Sequence, residues 1–506
     1  MDFSALKELV RFVTLNKVKE IDVFEGKKHG ESRLTQLYDG ISKGTFSSDD
    51  EAAQYFFGAH SHAQDPYYRK LQQRLVRQLL NTVFFIDTNQ PLFTDWTRAF
   101  HQCQVEFAAA NILFNRNFSV AAVFVLERIL EPITRYEFVE LGADVVRMLR
   151  REYGRAHNNL VKHEYYDKLY RNFEEKRRLE HLAGDYHEQL VTYYIERRAP
   201  DKEIHKTALS YFEALLPYED VADTSKFYFY LYHINIIRYF AVNDCENALI
   251  VCERALIKLK KSKHLNRTLV MGTLAQKMLC IIHLQLFEDQ IGDKAAAEFF
   301  SLTDEGNFNW FRGMELYFHY LMHIRRYQHA LEVYQKARQH PRFGVAMQGA
   351  ARDTWEIYGG YLHFLAAVGQ LDAAAVNEVA GVFKHNKFMN NMTVLGKEKT
   401  GMNIPHLFLP VIYGLATSTL DATDFSADAF IRYRKRYLDN ELNVRSSAFA
   451  NLLLALSNQP FQSGKSAKIM KRELAMLQQE KAPVSRQTVA VEIIPYEDLW
   501  ALLTAS

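Results

Sequence analysis

The stretch that decides the fold is residues 314–338, MELYFHYLMHIRRYQHALEVYQKAR. Its apolar and aromatic residues recur at intervals of three and four, the spacing that places side chains on one face of an α-helix. The polar pair Arg325 and Arg326 interrupts this spacing, and Tyr327 and Ala330 then open a second helical run. The stretch therefore predicts two antiparallel helices joined by a tight turn.

The same turn pattern recurs along the chain, at 184–186, 243–248 and 369–374. A polar residue or glycine comes first, an apolar or aromatic residue mostly follows, and a small residue stands early in the next helix. Equivalent points are 59, 82 and 44 residues apart (248−189, 330−248, 374−330), measured at Gln189, Ala248, Ala330 and Ala374. This irregular spacing predicts unequal or additional hairpins between these points.

Patterning divides the chain into five regions. Residues 1–100 look helical but lack the turn pattern, whereas residues 101–384 carry the hairpins. A polar loop over 385–404 precedes terminal helices within 405–482. In the apolar tail, 483–506, alternation over residues 488–494 predicts the one short strand of an otherwise all-helical protein.

Composition excludes several classes of protein. The 506 residues carry 62 basic and 60 acidic side chains, a net charge of +2 that creates no general attraction for nucleic acid or anionic membrane. The N-terminal residues are too charged for a secretory signal, and the most apolar run is too short to span a bilayer. The four cysteines form no C-x-x-C pair, so the sequence predicts reduced thiols in a cytoplasmic protein.

The sequence contains no nucleotide-binding glycine loop, no hydrolase nucleophile motif and no kinase motif. His319 and His323 stand four residues apart, which is compatible with metal ligation on one helix face. Because no further ligand is spaced to complete a set, a surface or groove histidine pair is the favoured interpretation. The sequence thus predicts no enzyme, no cofactor and no metal.

The helix pairs around Ala248 and Ala330 resemble the tetratricopeptide repeat (TPR) superfamily. In the second pair the matching positions are Tyr327, Ala330, Tyr334 and Ala337; in the first they are Tyr232, Tyr239, Ala248 and Ala255. Small residues at such places let two helices approach closely. The resemblance implies a right-handed α-solenoid of antiparallel helix hairpins, preceded by a helical N-terminal region.

In that family, recurring positions on the first helix of each pair line a concave surface. Carried onto this sequence, these positions are Arg171, Glu174, Arg178 and His181 in one unit, and Arg312, Glu315, His319 and Met322 in another. The resemblance therefore implies a groove for a peptide with acidic and apolar residues. Its contact residues would include Arg171, Arg178, His181, Arg312, His319 and Met322.

Two further segments have open interpretations. The apolar tail contains Ile493, Tyr496, Leu499 and Trp500, which would either cap the last helices, the favoured reading, or dock onto a partner. Basic residues precede a tyrosine-rich segment, a combination that can bind phosphates and stack bases. They are Arg147, Arg150, Arg151 and Arg155, followed by Tyr165, Tyr166 and Tyr170. The favoured interpretation is that the basic residues complement a helix dipole and that the tyrosines pack helix hairpins.

The favoured prediction is a protein-binding scaffold or adaptor that captures another polypeptide on a helical-repeat surface. The main alternative is a helical-repeat RNA-binding protein. A regulator whose residues 1–100 act as an output module is a weaker alternative. Self-association through unpaired hairpin ends, giving a homo-oligomer or a structural assembly, is a further one.

Overall fold

A computed structural model describes residues 3–16, 32–89, 93–155, 159–197, 202–261, 266–384, 388, 402–417, 427–439, 443–457, 464–479 and 491–505. These residues form helices joined by turns, and no β-strand element lies among them. The predicted all-helical class is confirmed. None of the described helices combines the length and hydrophobicity that a membrane crossing requires. The chain divides into two compact units, Met1–Phe173 and Glu174–Ser506, rather than near residue 100.

Unit 1 contains two hydrophobic clusters. The first is built by four helices, α1 (Phe3–Asn16), α2 (Arg33–Lys43), α3 (Asp49–Phe57) and α4 (Pro66–Val83). The second involves α5 (Asp95–Asn115), α6 (Ser119–Arg135), α7 (Val139–Arg155) and the start of α8 (Leu160–Arg197). The division between the units falls within α8.

Unit 2 contains the rest of α8 and a series of mostly short helices. They are α9 (Lys202–Leu215), α10 (Glu219–Ala222), α11 (Ser225–Phe240), α12 (Cys245–Lys260), α13 (Arg267–His283), α14 (Ile291–Ser301), α15 (Phe308–His323), α16 (Tyr327–Arg338), α17 (Phe343–Ala346), α18 (Ala350–Ala367), α19 (Ala373–Ala380), α20 (Asn403–Ala416), α21 (Ala427–Tyr433), α22 (Val444–Ser457), α23 (Gly464–Gln479) and α24 (Tyr496–Ala505). A π-helical turn, Arg434–Leu438, follows α21.

One type of corner joins successive helices. A residue with positive φ ends the first helix, and the next backbone N–H donates to the carbonyl oxygen five positions earlier, 2.7–3.0 Å away. This is the Schellman arrangement, which satisfies the last carbonyl groups of a helix. Among the described residues it occurs at Gly44, Asn117, Glu137, Asn243, Gln285, Arg325 and Gly369. The predicted turns at 243–248, 325–330 and 369–374 are confirmed.

The corners of unit 2 are evenly spaced. Asn243, Gln285, Arg325 and Gly369 are 42, 40 and 44 residues apart (285−243, 325−285, 369−325). The interval of 82 residues between Ala248 and Ala330 therefore contains an additional hairpin, α13–α14, with its corner at Gln285. Each hairpin contacts the next one, and the first helices α11, α13 and α15 also contact one another in order.

The predicted turn at 184–186 is wrong. Gly184 lies within α8, which is continuous from residue 160 to residue 197. A Cβ atom at this position would lie 3.3 Å from a ring carbon of Tyr230, so glycine allows α11 to approach α8 closely. Gln189 consequently lies in the same helix as residues 171–181, and the hairpin predicted around this turn is wrong.

The C-terminal region follows the prediction except in its tail. The predicted polar loop lies largely outside the described residues, and the terminal helices within 405–482 are present as α20 to α23. Residues 488–490 of the predicted strand also lie outside the described part. Residues 491–494 are not a strand, and their side chains are buried among the helices of unit 2.

Candidate functional site

Most of the groove positions predicted on α15 are buried. His319 and Met322 lie in the core of unit 2, and Glu315 accepts a hydrogen bond of 3.1 Å from the indole N–H of Trp355. Only Arg312 is exposed, and it pairs with Glu315. The interpretation of His319 and Met322 as contacts for a partner is therefore wrong, because other parts of the same chain cover this helix face.

His319 and His323 form a buried pair rather than a surface pair. Their ring centroids are 5.3 Å apart, and Nε2 of His323 lies 2.6 Å from the carbonyl oxygen of Glu492, so this nitrogen donates the hydrogen bond. Burial lowers the pKa of His319 to about 3 and also lowers the pKa of His323. Neutral imidazoles thus seal this face of α15. No metal-binding group of three or more ligands occurs among the described residues.

The chain segment that covers α15 is residues 491–505, named the C-terminal segment below. Its side chains Ile493, Tyr496 and Leu499 are buried, and Trp500 is partly buried against the same core. The ring of Tyr496 stacks on Phe449 of α22 at 4.5 Å. These side chains, predicted as a cap or as a docking face, are therefore part of the core and are not exposed for a partner.

A buried arginine holds the C-terminal segment. Arg445 on α22 is fully buried and makes two hydrogen bonds each to Glu492 and Glu497, with distances of 2.7–2.9 Å. Burial alone would lower the pKa of Arg445, but the hydrogen bonds and charges of the two glutamates raise it. Next to Glu497, Asp498 accepts a hydrogen bond of 2.9 Å from Nε of Arg325. The sequence offered no local signal for this long-range cluster.

The predicted contacts on α8 are exposed, but the hairpin predicted around 184–186 is absent. In unit 1, Arg171 pairs with Asp167 at 2.9 Å. In unit 2, Arg178 pairs with Glu175 at 2.7 Å, and His181 is exposed on the same helix. Because α8 continues past Gly184 to Arg197, the hairpin with its turn at 184–186, on whose first helix these residues were predicted, is not formed.

A cluster of exposed apolar side chains lies at the tip of the α5–α6 hairpin and is called the hairpin patch below. Its members are Ile112, Phe118, Val120 and Phe124, each 62–73% exposed. Val120 and Phe124 are one helical turn apart, whereas Ile112 and Phe118 flank the corner at Asn117. Large apolar groups concentrated on a surface are typical of sites for protein partners.

The basic stretch of unit 1 lines a cleft between the end of α7 and the start of α8, called the arginine cleft below. Its volume is about 730 Å³, and its basic lining residues are Arg147, Arg150, Arg151, Arg155 and His163. Arg150 donates to Asp167 at 3.0 Å, and Arg147 pairs with Asp144 at 3.2 Å. The basic residues singled out in the sequence thus lie together on one concave surface.

The tyrosines that follow this stretch are used within unit 1. Tyr153 and Tyr166 stack at 5.5 Å, and the hydroxyl groups of both donate to Glu127. Burial, followed by the hydrogen bond to Glu127, raises the pKa of Tyr166. Lys162 also binds Glu127, at 2.9 Å. These contacts join α6, α7 and α8 and account for the tyrosines as packing groups.

Basic residues also lie close together at the end of α12, where neighbouring acidic groups neutralise them. Lys258 pairs with Glu219 at 2.8 Å and lies over the ring of Tyr228, while Lys260 pairs with Glu298. These lysines therefore connect α12 to α10, α11 and α14. Their packing roles leave the arginine cleft as the more concentrated basic site.

No protein-family model matches the sequence, and neither the curated proteins nor the solved structures that were searched contain a match.

Proposed function

We propose that this chain is a non-catalytic binding protein that captures a partner polypeptide on the outer surfaces of its helix hairpins. The observation that carries the proposal is the hairpin patch, where four large apolar side chains are each 62–73% exposed. Contact with a partner would remove this surface from water, which stabilises a complex by about 1.5–3 kcal/mol for each fully buried large side chain.

The repetition of one hairpin supports the same conclusion. In unit 2 the corners recur at 42, 40 and 44 residues, and the first helices of successive hairpins contact one another. We take this arrangement as a TPR-like solenoid, the architecture that the family resemblance implies. Repeat proteins of this kind use extended surfaces to bind other chains.

The proposed surface differs from the groove expected in the family. The C-terminal segment covers His319 and His323 on α15, so the first-helix positions there cannot receive a partner without displacement of this segment. The hairpin patch, in contrast, is open. Arg128 lies 5.9 Å from the ring centroid of Phe124, so a basic group borders the apolar surface.

A double substitution tests this proposal. Val120→Asp with Phe124→Asp places charges in the hairpin patch, whereas Ile257→Asp changes one exposed apolar residue on α12 of unit 2 and serves as the control. The tagged proteins are purified from the source cell after nuclease treatment, and bound proteins are quantified by mass spectrometry. A partner should be recovered with the wild type and the control, and at least about tenfold less with the double variant.

Circular dichroism melts show whether the double variant keeps the wild-type fold. Equal recovery of every protein partner with a folded double variant would contradict the proposed binding surface. Loss of all bound material on nuclease treatment alone would contradict a polypeptide partner.

A further inference from the structure

We infer that the arginine cleft of unit 1 binds the polyphosphate group of a compact ligand, a diphosphate or triphosphate such as a nucleotide carries. This inference does not depend on the proposed protein partner. It starts from the convergence of basic groups on one concave surface of about 730 Å³, a volume typical of small-molecule sites.

The charges in the cleft are unbalanced. Its lining residues include Arg147, Arg150, Arg151 and Arg155 but only one acid, Asp167, so the arginines and the aspartate together carry a net charge of +3. Asp167 already binds Arg150 and Arg171. Arg151 and Arg155 make no ion pair with any described residue. Two guanidinium groups therefore remain to bind oxygen atoms of an anion, a geometry that suits phosphate.

The start of α8 adds backbone donors to the same place. Asn159 and Leu160 line the cleft, and the side chain of Asn159 caps the helix by accepting from the N–H of Lys162 at 3.0 Å. The first turn of α8 contains no acidic residue. Apart from the Asn159 cap, no acidic side chain of that turn competes with an anion for the helix N-terminus, whose partial positive charge favours anions.

Close packing between Gly154 and His163 shapes the wall of the cleft. A Cβ atom on Gly154 would lie 2.8 Å from Nδ1 of His163, so glycine leaves the room that the imidazole occupies. The same nitrogen lies 3.0 Å from the carbonyl oxygen of Arg150 and donates to it. His163 is thereby held beside the arginines, with Nε2 as its remaining polar atom.

The aromatic groups favour a compact phosphate ligand over a nucleic-acid strand. The guanidinium carbon of Arg150 lies 4.1 Å from the ring centroid of Tyr170, and Tyr153 stacks on Tyr166 beneath the amine of Lys162. These rings are used internally and offer no platform for successive bases, which strand-binding proteins require. Tyr165 is exposed but does not line the cleft.

Acidic side chains at the border of the cleft neutralise two of the basic groups there. Asp144 pairs with Arg147, and Glu127 pairs with Lys162, so these two basic groups are partly neutralised. Arg151 and Arg155 should therefore contribute most to the binding of a polyphosphate.

Calorimetric titration of the full-length chain with inorganic triphosphate tests the inference. Arg151→Glu and Arg155→Glu are compared with Arg352→Glu, which makes the same charge change at an exposed position of α18 in unit 2. The wild type and Arg352→Glu should bind with one site per chain. Each cleft variant should bind triphosphate at least about tenfold more weakly, because it loses the hydrogen bonds of one guanidinium group to phosphate. Hydrogen bonds between charged groups are stronger than those between neutral groups.

ATP and a single-stranded RNA are titrated in the same way. They distinguish a nucleotide from free polyphosphate, and a compact ligand from a nucleic-acid strand. ATP that binds tighter than triphosphate would identify a nucleotide, and equal affinity would identify the polyphosphate alone. The inference is overturned if the wild type does not bind triphosphate, or if all three variants bind it equally. It is also overturned if a single-stranded RNA depends on Arg151 but is not displaced by triphosphate.

Discussion

Replacement of the buried arginine, Arg445→Met, should strongly destabilise unit 2. Arg445 has no exposed surface, and its guanidinium makes four hydrogen bonds to Glu492 and Glu497 and one to the carbonyl oxygen of Leu477 at 3.1 Å. Methionine fills much of the same volume but leaves the buried carboxylate of Glu492 without its cation. Removal of one partner from such a pair costs about 3–5 kcal/mol.

The magnitude follows from the different surroundings of the two glutamates. The Glu492 side chain is 6% exposed and Glu497 is 39% exposed, so water can solvate the second carboxylate but not the first. The double variant Arg445→Met with Glu492→Met should therefore recover part of the loss. Arg178→Met removes an exposed pair with Glu175 and should cost less than about 1 kcal/mol.

Urea denaturation followed by tryptophan fluorescence measures these differences. Trp310, Trp355 and Trp500 belong to unit 2, and only Trp96 belongs to unit 1, so the signal reports mainly on the affected unit. A free energy of unfolding for Arg445→Met within about 1 kcal/mol of the wild type would refute the reasoning. An equally unstable double variant would show that lost packing, not the unpaired carboxylate, causes the effect.

Two further predictions concern a buried acid and the hairpin corners. Burial raises the pKa of Glu315 from 4.5 to about 7, so the folded state binds this proton more tightly and stability should fall as the pH rises between these values. Glu315→Gln should remove this loss of stability, which is about 3 kcal/mol over that pH range. The same dependence of melting temperature on pH in the two proteins from pH 4.5 to 7.5 would contradict the prediction. At the corners, Gln285→Gly should raise stability by about 0.5–1 kcal/mol and Gly369→Ala should lower it by a similar amount, because both positions have positive φ. Urea midpoints measure both changes, and equal signs for the two substitutions would argue against a backbone cause.

The helices and several corners could be predicted because their signals are local. Asn243 and Gly369 tolerate positive φ, and the side chains of Asp244 and Asp372 cap the helices that follow. The corner at Gln285 was missed because glutamine is not a typical residue for this conformation. Its existence becomes visible only in the hydrogen bond from Leu286 to the carbonyl oxygen of Ile281.

Glycine and histidine positions were ambiguous for a related reason. Gly184 reads as a turn residue in the sequence, whereas in the structure it makes room for Tyr230. His319 and Met322 occupy positions that line a groove in the resembling family, and here they are buried. In both cases the role of the residue depends on a partner that is distant in sequence.

By itself, the sequence determined the helical class and three of the corners at which the chain reverses, those at Asn243, Arg325 and Gly369. Helical periodicity and end capping act over a few residues, so they can be recognised in a short stretch such as 314–338. Only the tertiary structure decided which helix faces are covered and which stay open. The covering contact of α15 joins His323 to Glu492, 169 residues apart, and the arginine cleft requires α7 and α8 to meet, because burial and charge convergence depend on packing between distant segments.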